Sequence, residues 1–234
     1  MKQPFFFYLL IVLIFSSCMT QKPNRPKDTK TYSYLALGDS YTIGEGVEEK
    51  ERYPNQLVSS LKARNIHFEK PTIIAITGWT TDELAKGIDE AEISGNTYDL
   101  VTLLIGVNNQ YRGRDVENFK LEFRKQLEQA IRFANDNPDR VLVLSIPDWC
   151  ITPFAASKNV DPEKVKTEID SYNQAKKEVS MALGTHYIDI TEDYRKIGAR
   201  PEMVVEDQLH PSGLVYSKWA KLAELVISSE MEFK

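Results

Sequence analysis

The chain has 234 residues, 42% hydrophobic, 27% charged and 10% aromatic, which is apolar mass for one well-filled core and excludes disorder, collagen and coiled coil. Its formal charge of −5 speaks against a nucleic-acid footprint. Only two cysteines occur, Cys18 and Cys150, which excludes a disulfide scaffold and a cysteine-based zinc knuckle.

The first segment reads as an export signal. Met1-Lys2 gives a short positive start, Pro4 to Phe15 is an unbroken apolar run of 12 residues, and Ser16-Ser17 place small side chains before Cys18. That layout predicts a cleaved leader over residues 1–17, because a spanning helix needs roughly 17 to 25 apolar residues. The stretch Phe15-Ser16-Ser17-Cys18 resembles the lipobox of bacterial lipoproteins, with Phe15 where leucine is usual. The resemblance implies lipidation of Cys18 and anchoring to a membrane of the bacterial cell envelope, on the periplasmic or outer-membrane face. Each buried methylene of such an anchor contributes about 0.8 kcal/mol. Residues 18–31 carry Pro, Lys and Asn without apolar periodicity and read as a flexible tether. The folded domain is expected over residues 32–234.

Within it, Tyr32 to Leu37, Thr72 to Thr77, Leu100 to Ile105, Val141 to Ile146 and Tyr187 to Ile190 are short β-branched or aliphatic runs. They suit strands buried on both faces. Helical spacing relates Val116, Phe119, Phe123, Leu127, Ala130 and Ala134, and again Val165, Ile169, Tyr172, Val179 and Leu183. A last helix is expected to bury Leu214, Leu222, Leu225 and Val226. Pro54 and Pro211 stand where first helical turns would begin, since a missing N–H costs nothing there. The alternation predicts a three-layer α/β/α sandwich around a five-stranded parallel sheet with right-handed crossovers.

Ligands of such sheets bind beyond the carboxyl ends of the strands. The segments expected there are Gly38-Asp39-Ser40-Tyr41, Gly78-Trp79, Gly106-Val107-Asn108-Asn109, Pro147-Asp148-Trp149-Cys150 and, before the last helix, Asp207-Gln208-Leu209-His210. Ester hydrolysis by serine needs a nucleophile, a neutral imidazole, a carboxylate to orient it and donors for the developing oxyanion. Ser40, His210 and Asp207 supply the first three. The Ser40 N–H, the Gly78 N–H and the Asn108 side-chain amide can supply the donors. His67 and His186 fall at the wrong end or in a charged loop, and read as packing or surface residues. Asp39 is expected to hold the turn, and Cys150 to be a passive thiol in an apolar wall.

These four blocks resemble, in order and spacing, the SGNH superfamily of GDSL-type esterases and lipases over about residues 32–230. The resemblance implies a flavodoxin-like fold, no metal or cofactor, Ser40 as nucleophile, Asp207 and His210 as its triad partners, and Ser40, Gly78 and Asn108 as the oxyanion hole. The implied substrates are acyl esters, from lipids and thioesters to acetylated glycans. Asn109 departs from the family's usual aspartate after the block asparagine, which leaves the subfamily open. Tyr41, Trp79, Tyr111 and Trp149 are candidates to line the substrate pocket, packing being the other explanation of these aromatics. Arg112 and Arg114 could meet an anionic substrate or lie in a solvated loop, and Asp148 is open in the same way. Two other functions fit the fold: a lipoprotein that binds glycan or lipid without catalysis, and a metal-dependent phosphoesterase using Asp39, Asn108 and His210.

Overall fold

A computed structural model describes Met1 and residues 30–233, so the leader at 1–17, Cys18 and nearly all of the tether lie outside the described residues. Among the described residues seven strands form: β1 (Thr31–Tyr32), β2 (Tyr34–Gly38), β3 (His67–Phe68), β4 (Thr72–Ala75), β5 (Leu100–Leu104), β6 (Val141–Leu144) and β7 (His186–Ile188). The helices are α1 (Ser40–Ile43), α2 (Tyr53–Lys62), α3 (Thr81–Glu90), α4 (Val107–Tyr111), α5 (Val116–Phe133), α6 (Pro153–Ala156), α7 (Pro162–Leu183), α8 (Thr191–Ile197) and α9 (Gly213–Glu230).

Every residue of β2, β5 and β6 is buried, as continuous apolar runs require when helices cover both sheet faces. Five strands pair in parallel in the order β4-β2-β5-β6-β7. Counted along the chain this is the 2-1-3-4-5 order of a flavodoxin-like sheet, whose connections reverse direction between β2 and β5. β1 and β3 make a separate parallel pair, two residues per strand and too short for any periodicity to reveal. Helix α2 packs on α9, while α3, α5 and α7 pack side by side, which builds the expected outer layers.

Two helical expectations are corrected. In α9 the buried positions are Val215, Tyr216, Trp219, Ala220, Ala223, Glu224 and Ile227; Leu222 and Val226 are half-buried against the core as expected, while Leu214 and Leu225 are exposed. The bulky Tyr216 and Trp219 rings, at 5.2 Å and edge-on to each other, set the inward stripe one position later than the leucines suggest. Pro54 sits in the first turn of α2 as expected. Pro211 precedes α9, whose N-cap is Ser212, and instead bridges Val204.

Candidate active site

The end of β2 runs into α1 through Gly38 and Asp39. A Cβ on Gly38 would stand 2.1 Å from Thr42 Oγ1 and 2.3 Å from the Leu104 carbonyl, so only glycine lets α1 fold tightly over the sheet edge. Asp39 N-caps α1, its Oδ1 accepting from the Tyr41 N–H at 3.0 Å. Ser40 therefore opens a helix on the switch-point edge of the sheet. Its Oγ makes no hydrogen bond among the described residues.

Across the switch point, β5 delivers Gly106 and α4. Ile76 to Trp79 closes a turn through the Trp79 N–H and the Ile76 carbonyl at 3.2 Å, with Gly78 third in the turn at φ +90°. This backbone demands glycine. Crowding does not, since a Cβ on Gly78 would meet only Arg112 Nη2, at 3.9 Å. The Gly78 N–H has no acceptor among the described residues. Asn108 donates one amide hydrogen to the Trp79 carbonyl at 3.0 Å and keeps the other. Asn109 ties the same segment down: its Nδ2 donates to Thr81 Oγ1 at 2.7 Å and its Oδ1 accepts from the Thr81 N–H at 3.1 Å.

The turn between Val204 and Pro211 carries Asp207 and His210. Asp207 Oδ2 lies 2.5 Å from His210 Nδ1, and Oδ1 accepts from the N–H groups of Leu209 at 2.8 Å and His210 at 2.9 Å. Burial would raise the Asp207 carboxyl, but the ring and amide donors of His210 and the Leu209 amide outweigh it and hold Asp207 below its ordinary range. With Nδ1–H committed to a carboxylate, Nε2 is the nitrogen left to accept a proton. Gln208 adopts φ +62° and its carbonyl accepts from the Phe154 N–H at 3.0 Å, which fastens this turn to the cavity wall.

Ser40, Gly78, Asn108 and His210 line one cavity of about 210 Å³, with Tyr41, Thr77, Val107, Tyr111, Trp149, Phe154 and Leu209. Ser40 and His210 share this space without a mutual hydrogen bond, a separation that apo geometry commonly shows between groups able to act together. Three of the four aromatic candidates line it; Trp79 does not. Its indole lies on Gly87 of α3, where a Cβ would stand 2.0 Å from the ring. Trp149 is fixed by donating Nε1–H to Gln110 Oε1 at 2.9 Å, and Tyr111 stands edge-on to it at 5.2 Å.

The charged candidates are engaged elsewhere. Arg112 donates to the Gly78 carbonyl at 2.7 Å and pairs with Glu83 at 3.1 Å, and Arg114 pairs with Asp82 at 2.5 Å. Asp148 accepts from the Cys150 N–H at 3.0 Å and from Arg195 Nε at 2.8 Å. Cys150 is half-buried, and burial followed by the Asp148 charge pushes its thiol pKa up. His186 meets Glu230 at 3.1 Å, and His67 lies in β3.

One residue went unread in the sequence. Lys176 falls on the α7 stripe between Tyr172 and Val179, is fully buried, and donates to the carbonyls of Ile105 at 3.0 Å and Leu144 at 2.7 Å. It ties together the ends of β5 and β6. Desolvation lowers its pKa to about 7, opposed by the charge of Asp39. Desolvation likewise raises Asp39 to about 7, against the Tyr41 amide and the Lys176 charge. A lysine at an apolar helical position was the available signal.

Against known proteins, the model of the GDSL-like Lipase/Acylhydrolase family matches residues 36–218, a span holding all five proposed catalytic and oxyanion residues. The chain belongs to this family. A GDSL-like lipase/acylhydrolase is a carboxylic ester hydrolase by class, and the α/β fold with its five-stranded parallel sheet is that of its structural neighbours. Among solved structures, TesA superposes with a TM-score of 0.65 at 16% identity, covering 85% of this chain and 98% of its own. A lipase/acylhydrolase from Enterococcus faecalis gives 0.63 at 21% identity, covering 86% and 98%. A mutant of Axe2, an acetyl-xylooligosaccharide esterase from a Geobacillus, gives 0.63 at 16% identity, covering 87% and 95%. At these identities the likeness is one of fold. No curated protein matches the chain by sequence.

Proposed function

We propose that this protein is a serine esterase that cleaves acyl esters through an acyl-enzyme on Ser40, tethered to a bacterial envelope membrane by a lipid on Cys18. The supporting observation is the 2.5 Å pairing of Asp207 with His210 at the rim of the cavity that also holds Ser40, Gly78 and Asn108. Ser40 Oγ attacks the ester carbonyl while its proton passes to His210 Nε2, and Asp207 stabilises the imidazolium. The N–H groups of Ser40 and Gly78 and the second Asn108 amide hydrogen receive the oxyanion. Collapse expels the alcohol, which takes the proton from His210. Water, deprotonated by the same imidazole, then releases the carboxylic acid and restores Ser40.

The cavity favours a small, uncharged acyl group. Its volume of about 210 Å³ lies below the roughly 300–1,000 Å³ of drug-sized ligand sites, and Val107, Trp149, Phe154 and Leu209 form an apolar wall. Acetyl or other short esters, including acetylated glycans or lipids with a short acyl group, fit this shape.

Hydrolysis of p-nitrophenyl acetate by the wild type and Ser40→Ala tests the reading. It expects a loss of at least about 10³-fold in kcat with the fold intact, and activity that survives chelators. Unchanged turnover in Ser40→Ala rejects the assignment. Loss under EDTA with recovery on adding a divalent cation favours the metal-dependent alternative, and ligand binding without turnover favours a binding lipoprotein. Mass spectrometry of the exported protein, showing a diacylglyceryl Cys18 at the new N-terminus, tests the tether; an unmodified Cys18 rejects it.

A further inference from the structure

The segment from Thr77 to Thr81 would present one oxyanion donor, yet the backbone bond that closes its turn, from the Trp79 N–H to the Ile76 carbonyl, is 3.2 Å long. Gly78 at φ +90° has wide conformational freedom. The segment is held from outside: Glu45 accepts from the Thr77 hydroxyl, Gln126 and Glu122 of α5 hold Thr81, and three side chains rooted in or beside α4 hold the stretch from Gly78 to Thr81. Asn108 takes the Trp79 carbonyl and Asn109 takes Thr81. Arg112, the C-cap residue of α4, does the rest: Nη2 donates to the Gly78 carbonyl at 2.7 Å while Nη1 grips Glu83 at 3.1 Å. Glu83 in turn accepts from the Thr80 N–H at 2.8 Å and caps α3.

A planar guanidinium can hold a carbonyl and a carboxylate at once in fixed directions, which an ammonium on a flexible stem cannot. Fixing the Gly78 carbonyl sets the peptide plane on one side of the Gly78 Cα, with Asn108 setting the next plane along. The Gly78 N–H belongs to the preceding plane, which Arg112 reaches through the turn: the Trp79 N–H, in the plane that Arg112 holds, donates to the Ile76 carbonyl at 3.2 Å and closes the turn over Thr77 and Gly78. The guanidinium also flanks Gly78 closely, with Nη2 at 3.9 Å from where a Cβ would project, and its pairing with Glu83 leaves its effect on the turn one of position rather than charge.

We propose that Arg112 is a positioning residue for the oxyanion hole, holding the Gly78 turn in its donor geometry, and that it does not bind an anionic group of the substrate. This rests on the esterase reading of Ser40 and Gly78, and predicts that Arg112 acts on turnover more than on substrate binding.

The experiment compares the wild type, Arg112→Met, Arg112→Lys, Glu83→Gln and Ser40→Ala on p-nitrophenyl acetate and on an ester of succinic acid bearing a free carboxylate. Arg112→Met is expected to lower kcat about 10- to 100-fold, the range of a misaligned oxyanion donor, with KM within threefold on both substrates. Arg112→Lys recovers part of kcat. Glu83→Gln, which leaves the Gly78 contact in place, falls less than Arg112→Met. A melting temperature of Arg112→Lys near that of the wild type keeps the comparison on folded protein. Wild-type kcat in Arg112→Met overturns the proposal, as does a rise in KM confined to the anionic ester with kcat unchanged. If Ser40→Ala retains activity, the esterase reading itself fails, separately from any result at Arg112.

Discussion

Asp39 and Glu224 are equally buried, each 1% exposed, and ionise in opposite directions. Glu224 lies in the seam between α2 and α9, where it accepts from Ser60, Arg64 and, at 2.7 Å, Lys221. Burial alone would raise its carboxyl, but the bonds from Lys221, Ser60 and Arg64 bring it down to about 2. Asp39 immediately precedes Ser40 as the N-cap of α1. One oxygen takes the Tyr41 amide, the other has no hydrogen-bond partner, and desolvation raises it to about 7. Tyr194 Oη and Tyr216 Oη are likewise buried without hydrogen-bond partners among the described residues. The Glu224 carboxylate is fully paired within its seam, whereas Asp39 Oδ2 and these two hydroxyls are buried unpaired among the described residues. Polar groups left so at a ligand-bearing edge are a cost that packing elsewhere offsets.

That contrast gives opposite pH signs. A carboxylate held at about 2 stabilises the fold above the ordinary glutamate range and loses this as pH falls toward 2. A carboxyl raised to about 7 keeps its proton more tightly when folded, so stability falls as pH rises from about 4 to about 7. Glu224→Ala should have the larger effect, costing about 2 kcal/mol at neutral pH because it removes the buried acceptor shared by Ser60, Arg64 and Lys221 and leaves space in the seam between α2 and α9. Thermal melting should show a fall of roughly 4 to 8 °C for a chain of this size, and the deficit should shrink toward pH 2. An unchanged melting point would show the seam to be held by its apolar contacts alone. Asp39→Asn preserves an N-cap and should stabilise the protein relative to the wild type as pH rises from 4 to 7, on the order of 1 to 2 kcal/mol. Parallel denaturation curves at pH 4 and 7 measure this. A wild type whose stability does not fall across that window, or a difference independent of pH, would break the comparison.

What could be read from the sequence and what could not divides along physical lines. The five main strands and the placement of Ser40, Gly78, Asn108, Asp207 and His210 at their carboxyl ends follow from apolar runs and from side chains whose chemistry marks them. Orientation was less legible. The leucines of α9 misplaced its buried face because Tyr216 and Trp219 have more area to bury. Trp79 sits at a strand end yet turns toward Gly87, a contact with α3 that no local pattern encodes. Arg112 lies 34 positions from the carbonyl it grips, and that partnership exists only once β4 and β5 flank β2. Lys176 interrupts an otherwise apolar stripe, and only the fold reveals the two strand-end carbonyls that hold it.

The central claim is that Ser40 is made nucleophilic by His210 and Asp207. Reaction of the full chain with a fluorophosphonate, followed by peptide mass spectrometry, addresses it directly. The account predicts a single phosphonyl adduct on the peptide containing Ser40, formed at least about 10²-fold more slowly in His210→Ala. An unlabelled Ser40, or a labelling rate indifferent to His210, would contradict it.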